Sequence, residues 1–291
     1  MRSTNIFLTG GNGFIGKNIL EQLGNKYNFY HPTHKELDLL NRDAVDNFFR
    51  SHKIDIVIHA AVIGGSRTEE YIGGMLEGNL KIFFNIVKNK KYFKKMIHFG
   101  SGAEYDKSVP IVKVKEKDFD NKVPQDEYGF FKYVCSKYIE EAGDIVCLRI
   151  FGLYGKHEDY RYRFISNAIC RNIMKLPIAM NKDVYFDYIY IDDFIKILDH
   201  FITYNTSQKF YNIGTGVRIN LLTIAKKINE IADNKSKIIV KNKGLNNEYT
   251  CDNSRLKKEL RGIYFTDFDE TLINLYNWYK SIKPSLDKDS L

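Results

Sequence analysis

The sequence is poor in cysteine and proline, and it contains no long apolar run. Its 291 residues include four cysteines and five prolines. The cysteines form no C-x-x-C pair and have no histidine at ligand spacing, so we expect no disulfide framework and no metal site. Charged residues interrupt every apolar stretch well short of the roughly 20 residues that a membrane span needs, and the first residues do not form a signal peptide. We therefore expect a cytoplasmic, reduced protein without a membrane partner.

A recognisable nucleic-acid module is also missing. The net charge is +8, but the lysines are scattered and there is no arginine-rich arm. The local basic cluster at residues 88–95 fits a solvated helix end before a strand. A mild basic excess is equally typical of proteins whose ligands carry several phosphates. We expect no nucleic-acid partner.

A glycine-rich turn follows the first apolar stretch. Residues 6–16 read IFLTGGNGFIG, and a helical apolar pattern follows at once. This order predicts a strand, a tight turn and a helix N-terminus, where glycines allow a pyrophosphate to approach amide N–H groups. The spacing Gly10-x-x-Gly13-x-x-Gly16 differs by one residue from the dinucleotide fingerprint G-x-G-x-x-G. A glycine turn that binds no ligand has the same pattern, so the motif alone does not show that this turn binds a dinucleotide.

Strand and helix patterns alternate through the first half of the chain. The nearly all-apolar segments 54–61 and 145–150 are typical of strands buried on both faces. The alternation predicts an α/β fold, a Rossmann-type doubly wound parallel sheet that binds ligands at the carboxyl ends of its strands. The strand ends expected to converge on one crevice are residues 10–13, 60–61, 100–101 and 151–152.

The pattern changes in the second half, which predicts a smaller α/β substrate-binding lobe. We assign residues 1–157 and about 184–213 to the dinucleotide-binding domain. We assign about 158–183 and 214–284 to the substrate-binding lobe. Residues 285–291 are expected to form a mobile tail.

The end of the second predicted strand favours NADP over NAD. NAD-binding folds place a carboxylate there to hold the adenine ribose. Here His34 and Lys35 are available to a 2′-phosphate, although Glu36 stands about twenty residues past the glycines and would serve NAD. We favour the basic interpretation and keep NAD as the alternative.

Tyr128-x-x-x-Lys132 is the candidate proton-transfer pair. The spacing places both side chains on one face of a helix predicted from about residue 126 to 141. An ammonium group favours the phenolate form of a neighbouring tyrosine, which can then act as an acid or base nearer neutrality. Tyr133 and Lys137 have the same spacing, so context must choose. Tyr128 is favoured because it begins its helix just after a proline-bearing loop.

Several further motifs occur in an order that identifies a family. They are residues 9–16, 38–39, 59–61, Asn79, Ser101-x-x-x-Tyr105, Tyr128-x-x-x-Lys132, 149–155, 190–193 and 211–214. Together they resemble the extended short-chain dehydrogenase/reductase family, the NAD(P)-dependent nucleotide-sugar epimerases, dehydratases and reductases. The resemblance covers most of the chain.

The resemblance implies roles for individual residues. Ser101 would hydrogen-bond the reacting sugar oxygen, Tyr128 would transfer the proton, and Lys132 would hold the cofactor ribose. It also implies a nucleotide-diphosphate sugar as substrate and a homodimer formed through the helices at 68–88 and 126–141. The expected cofactor-binding residues are Gly10, Gly13, Phe14, Ile15, Gly16, His34, Lys35, Asp38, Leu39, Ala60, Ala61, Asn79 and Lys132.

Departures from the family pattern narrow the expected reaction. The 4,6-dehydratases carry an acidic pair where this chain has Gly102 and Ala103. The GDP-fucose synthase branch, which residues 36–40 resemble, uses a Cys and a His where this chain has Ala103 and Arg163. A guanidinium cannot act as a base near neutrality.

These departures leave hydride transfer at C4 of the sugar as the expected chemistry. We expect NADPH-dependent reduction of a 4-keto (deoxy)sugar nucleotide for surface-polysaccharide synthesis. A nucleotide-sugar 4-epimerase with bound NAD is the first alternative, and a non-catalytic NAD(P)-sensing module is the second.

Two more departures concern the substrate. Gly152 and Phe186 stand where the family usually has an Asn and an Arg that help to hold the nucleotide diphosphate. The residues that we expect to compensate or to contact the substrate are Arg67, Gly102, Arg161 and Arg163.

Overall fold

A computed structural model describes residues 4–64 and 74–291 of the protein. Within these ranges the strands are β1 (Asn5–Thr9), β2 (Asn28–Tyr30), β3 (Ile56–His59), β4 (Lys95–Ser101), β5 (Ile111–Val114), β6 (Ile145–Ile150), β7 (Gly152–Tyr154), β8 (Ile178–Met180), β9 (Tyr185–Tyr190), β10 (Phe210–Ile213), β11 (Arg218–Asn220), β12 (Ile238–Val240) and β13 (Tyr249–Cys251). The α-helices are α1 (Phe14–Leu23), α2 (Arg42–Ser51), α3 (Met75–Val87), α4 (Glu127–Glu141), α5 (Phe164–Ile173), α6 (Ile191–Thr203), α7 (Leu221–Ile231), α8 (Ser254–Leu260) and α9 (Phe268–Ser281).

The larger sheet has six parallel strands in the order β10-β6-β4-β3-β1-β2. Alternate side chains of β1 enter different cores because successive residues of a strand point to opposite faces. Phe7 packs with α2, α3 and α4, whereas Ile6 and Leu8 pack with the core that includes α1 and α6. The predicted doubly wound α/β fold is confirmed.

The second lobe is built around a five-stranded sheet. Its path is β11-β9-β13-β5, with β7 paired to β9, and β8 and β12 form a separate parallel pair. Helices α5, α7 and α9 contact one another beside it. This sheet takes in β5, β7 and β9, which all lie in the ranges that we assigned to the dinucleotide-binding domain, whereas α6 packs against α1 and β10 pairs with β6 of the six-stranded sheet. The division into two domains stays a prediction.

The last residues of the chain contact the body of the protein. Leu286 is buried in the main core, and the Asp287 amide donates to the Tyr160 hydroxyl over 3.0 Å. The expected mobile tail thus has an anchor at its start. Over residues 4–64 and 74–291, no helix is long and apolar enough to cross a bilayer.

Glu158 is a buried acid in the second lobe, and it makes the stability of the protein depend on pH. The Ser166 hydroxyl donates to its carboxyl over 2.6 Å. Burial nevertheless raises the pKa of Glu158 from 4.5 to about 8. The folded state therefore keeps a proton that the unfolded state releases above pH 4.5, so the stabilisation is complete below that pH and is lost as the pH rises through about 8.

We expect Glu158→Gln to flatten this dependence. Glutamine is uncharged at every pH and still accepts the Ser166 hydrogen bond. Urea unfolding between about pH 5 and pH 8 should show the wild-type free energy of unfolding falling relative to the variant by an amount on the order of a few kcal/mol. Parallel curves for the two proteins would mean that Glu158 is ionised in the folded state.

Candidate cofactor and catalytic site

The glycine turn brings the end of β1 against the end of β3. Gly10 has φ +73°, and a Cβ at this position would lie 2.9 Å from the Ala61 nitrogen. A Cβ on Gly16, in the first turn of α1, would lie 2.2 Å from the Gly10 carbonyl oxygen. Only glycine allows the helix to start this close to the turn.

The N-terminus of α1 fits a pyrophosphate. Gly13 precedes the helix without a side-chain cap, and the first turn holds no acid. Side chains of Asn41, Asp126, Asn220 and Asp267 cap α2, α4, α7 and α9, whereas α3, α5, α6 and α8 lack a side-chain cap as α1 does. The first amides of α1 have no partner in the helix, and the positive end of its dipole favours an anion. Phe14, Ile15 and Gly16 carry these amides, and their contact with a cofactor stays a prediction.

Thr9 ties the two strand ends together. Its hydroxyl oxygen accepts hydrogen bonds from the amides of Ala60 and Ala61, each over 3.1 Å, and lies 2.9 Å from His59 Nδ1. Burial, assisted by the Lys132 ammonium, lowers the pKa of His59 to about 3, so its ring is neutral at physiological pH. Thr9 thus fixes the two alanines that we predicted to border the cofactor.

Asn79 is committed to the loop after β3. Its Oδ1 accepts from the Ile63 amide over 2.9 Å, and its Nδ2 donates to the Ile63 and Met75 carbonyls. All its polar atoms therefore have protein partners. We infer that Asn79 shapes the cofactor crevice through this loop.

The acids near the end of β2 are engaged by the chain itself. A carboxylate oxygen of Glu36 accepts from the Thr33 amide over 2.7 Å, which lowers the pKa of Glu36. Asp38 accepts from the Leu40 amide over 3.0 Å, and Leu39 is half-buried against the Rossmann core. Both carboxylates hold local turns.

The basic residues at the same end are open to solvent. His31 lies over the glycine turn, since a Cβ on Gly11 would meet the His31 Cβ at 3.0 Å. His34 and Lys35 follow and are exposed. His31 was absent from the predicted site, although its position directly after β2 was visible in the sequence.

Ser101 lies at the carboxyl end of β4. It caps the short 3₁₀ helix Gly102–Tyr105, because its hydroxyl oxygen accepts from the Ala103 amide over 3.1 Å. The Tyr249 hydroxyl is 3.4 Å from the same oxygen. Ser101 is therefore held at the crevice by both its backbone and its side chain.

Helix α4 brings Tyr128 and Lys132 to that edge of the sheet. Asp126 caps the helix, and Tyr128 occupies its first turn with a half-buried ring. Lys132 is 6% exposed, and its Nζ donates to the Phe99 carbonyl of β4 over 2.5 Å. A Cβ on Gly129 would lie 2.8 Å from the Ala103 carbonyl oxygen, so α4 approaches the Ser101 turn closely. Lys132 thus contacts β4, and the turn of α4 that carries Tyr128 lies beside the Ser101 turn.

Tyr249 is a site residue that the sequence did not identify. Its ring lies 4.9 Å from that of Phe151, and burial raises the pKa of its hydroxyl. A Cβ on Gly102 would lie 2.6 Å from this hydroxyl. Gly102, predicted to contact substrate, is therefore covered by Tyr249 and Phe151. No motif surrounds Tyr249 in the sequence, so only the folded chain brings it to Ser101.

The candidate arginines differ in their surroundings. Arg67 lies outside the described residues. Arg161 forms two 2.8 Å hydrogen bonds with Asp159, and Arg163 is exposed at the N-terminus of α5. Their contact with substrate stays a prediction.

An aromatic ring fills the space beside Gly152. A Cβ there would lie 2.8 Å from the Tyr188 ring and 2.6 Å from the Asp187 carbonyl oxygen. Phe186 lies next to Tyr188, with 5.3 Å between ring centroids. The two positions at which the resemblance predicts an Asn and an Arg, residues 152 and 186, thus carry or adjoin aromatic rings in this chain.

Comparison with known proteins agrees with this geometry. Residues 6–214 match the model of the NAD dependent epimerase/dehydratase family. The chain belongs to this family. The predicted resemblance is confirmed, and the protein is an NAD(P)-dependent enzyme of the extended short-chain dehydrogenase/reductase type.

Individual members of the family align over most of the chain. The ADP-L-glycero-D-manno-heptose-6-epimerase of Brachyspira hyodysenteriae is 26% identical over 267 residues, which span 78% of this chain and 80% of the relative. A GDP-L-fucose synthetase from Naegleria fowleri bound to NADP has TM-score 0.84 at 16% identity, covering 99% and 97% of the two chains. The GDP-mannoheptose C4 reductase of Campylobacter jejuni with NADP bound has TM-score 0.78 at 21% identity, covering 96% and 99%. At these identities the two structures establish the shared fold.

Proposed function

We propose that this family member uses NADPH to reduce the C4 carbonyl of a 4-keto (deoxy)sugar nucleotide in a cytoplasmic pathway for surface-polysaccharide sugars. The proposal is supported by the Ser101, Tyr128 and Lys132 group beside an uncapped phosphate-type helix terminus. Relatives that act on nucleotide sugars, including a C4 reductase, support the substrate class.

The surroundings of Glu104 argue against dehydration as the reaction. Gly102 and Ala103 bring no acid to the Ser101 turn, and the Glu104 carboxylate is turned inward. It accepts from the Ser101 amide over 2.8 Å and from Arg149 Nε over 2.6 Å. Within the described turn, residues 101–105, no carboxylate is left to expel a C6 hydroxyl, so dehydration is disfavoured.

The chain's own groups then perform a carbonyl reduction. The Ser101 hydroxyl donates a hydrogen bond to the C4 oxygen of the sugar, and the Tyr128 phenol donates the proton that this oxygen takes up. Lys132 stabilises the resulting phenolate and, with the glycine turn, holds the dinucleotide. A bound nicotinamide supplies the hydride that reaches C4.

A cofactor assay tests the reaction. With a panel of 4-keto sugar nucleotides, the purified protein should oxidise one added NADPH for each sugar reduced. Tightly bound NAD and sugar interconversion without net cofactor oxidation would instead identify a 4-epimerase. Dinucleotide binding without turnover of any nucleotide sugar would favour the sensing module.

Tyr128→Phe should lower kcat by at least about a hundredfold, because it removes the proton donor. The dissociation constant for NADPH should stay within about twofold of wild type. Tyr133→Phe is the matched control on the same helix, since Tyr133 bonds Asp120 at the surface and should keep turnover. Wild-type kcat in Tyr128→Phe would exclude both catalytic proposals.

We propose NADP as the preferred dinucleotide. His34 and Lys35 are exposed and follow His31, which lies over the glycine turn. Glu36 is exposed too but is held by the Thr33 amide, and His34 Nδ1 lies 3.8 Å from an Asp38 carboxylate oxygen. An adenosine 2′-phosphate would gain charge-assisted hydrogen bonds from the basic pair.

Lys35→Glu should therefore weaken NADPH binding by about tenfold, an effect in the range of one charged hydrogen bond. NADH, which has no 2′-phosphate, should bind with unchanged or improved affinity. Lys243→Glu makes the same charge change on an exposed loop of the second lobe and should alter neither constant. Equal loss for both dinucleotides, measured by fluorescence titration, would argue against contact with the 2′-phosphate.

We also propose a homodimer through α3 and α4. Phe84 of α3 is 40% exposed, and its ring lies 5.3 Å from that of Tyr138 on α4. An exposed phenylalanine ring beside a half-buried tyrosine on the adjacent helix supports pairing with a second copy. Sedimentation equilibrium would then find twice the mass of the chain.

A further inference from the structure

The Glu104 side chain bonds groups in three elements around the candidate site, namely the end of β4, α4 and β6. Its side chain is 0% exposed. One carboxylate oxygen accepts from the Ser101 amide over 2.8 Å at the end of β4. The other accepts from the Ser136 hydroxyl of α4 over 2.6 Å and from Arg149 Nε of β6 over 2.6 Å.

Arg149 holds this carboxylate in a fixed place. The guanidinium carbon lies 4.2 Å from the ring centroid of Phe119 and 4.5 Å from that of Phe210. Its Nη1 donates to the Tyr105 hydroxyl over 3.1 Å, and this hydroxyl donates to Asn212 over 2.7 Å. Glu104 therefore has a rigid partner.

Ser136 continues the catalytic stripe of α4. Tyr128, Lys132 and Ser136 are spaced by four residues and so lie on one helical face. Lys132 donates to the Phe99 carbonyl of β4, and Ser136, one turn further, donates to Glu104. Two successive turns of α4 are thus attached to β4 and the turn that follows it, which carries Ser101.

We propose that Ser136 is a positioning residue for the reaction, a role that rests on the proposed function of Ser101 and Tyr128. By donating to Glu104, it fixes α4 relative to the Ser101 turn, so that the phenol and the serine hydroxyl reach the same substrate oxygen. The same carboxylate bonds the Ser101 amide, so both catalytic groups are set by one anchor.

Ser136→Ala tests this role with a small change. Replacing Glu104 would leave the Arg149 charge buried without a partner and threaten the fold. The Ser136 variant removes only an uncharged hydroxyl, which bonds Glu104 over 2.6 Å and lies 3.7 Å from Cys147 Sγ. Ser166→Ala is a matched control, because Ser166 is also buried in a helix and donates to a buried carboxyl, Glu158, over 2.6 Å. That site lies in the second lobe.

We expect Ser136→Ala to lower kcat at least tenfold, with KM and the NADPH dissociation constant within about twofold of wild type. Hydrogen–deuterium exchange should become faster in peptides covering residues 100–105 and 126–135. Ser166→Ala should lose a similar amount of thermal stability while keeping kcat and the exchange of those peptides. Ser136→Thr, which keeps the hydroxyl, should recover most of kcat.

Wild-type kcat and exchange in Ser136→Ala, or an equal loss of kcat in Ser166→Ala, would overturn the proposal. The exchange measurement needs no substrate. It therefore decides the docking role even if the wild-type protein reduces none of the nucleotide sugars tested, a result that would count against the proposed function instead.

Discussion

The candidate site at the carboxyl end of β4 depends on one buried ion pair, Glu104 with Arg149. Their side chains are 0% and 1% exposed, and the two charges are 2.6 Å apart. Removing such charges from water is costly, so a buried pair does not by itself favour folding over an apolar replacement. Here the pair fixes the positions of neighbouring groups, because the Glu104 carboxylate accepts several directed hydrogen bonds. An apolar side chain at residue 104 would leave the Ser101 amide and the Ser136 hydroxyl without their acceptor.

The sequence predicted the sheet because its strands are buried on both faces and alternate with helices. The strand pairs of the second, five-stranded sheet do not follow from such a pattern. That sheet is assembled from segments far apart in the chain: β5 pairs with β13, and β13 pairs with β9. These segments lack a short-range pattern, since β11 and β13 are only three residues long and their partners are set by tertiary packing.

The candidate site was predicted where function requires a particular residue at a fixed spacing. Local patterns in the sequence indicated these residues. Gly10 lies in a glycine-rich turn after a strand, Ser101 lies at a strand end, and Tyr128 and Lys132 have a four-residue spacing on one helix. Tyr249 could not be found in this way, because it lies in β13, 148 positions after Ser101 in the sequence. The pairing of Arg161 with Asp159 could have been predicted from the sequence, because the two residues are only two positions apart.

The aromatic residues around Ser101 bear on what the site accepts. Tyr249 lies 4.9 Å from Phe151 and 5.8 Å from Phe186, measured between ring centroids, and Phe186 continues to Tyr188. Each of these rings except Phe151 is only partly buried, so the group presents apolar surface beside the serine hydroxyl. A sugar hydroxyl packed on the ring faces would lose hydrogen bonds to water without replacing them, whereas a deoxy carbon would not. The Tyr249 hydroxyl, 3.4 Å from the Ser101 hydroxyl oxygen, is a polar group within this cluster and can bond a sugar hydroxyl that reaches it. The aromatic faces beside Gly152 and Phe186 therefore suit a deoxy carbon, and the end of the cluster at Ser101 suits a polar group.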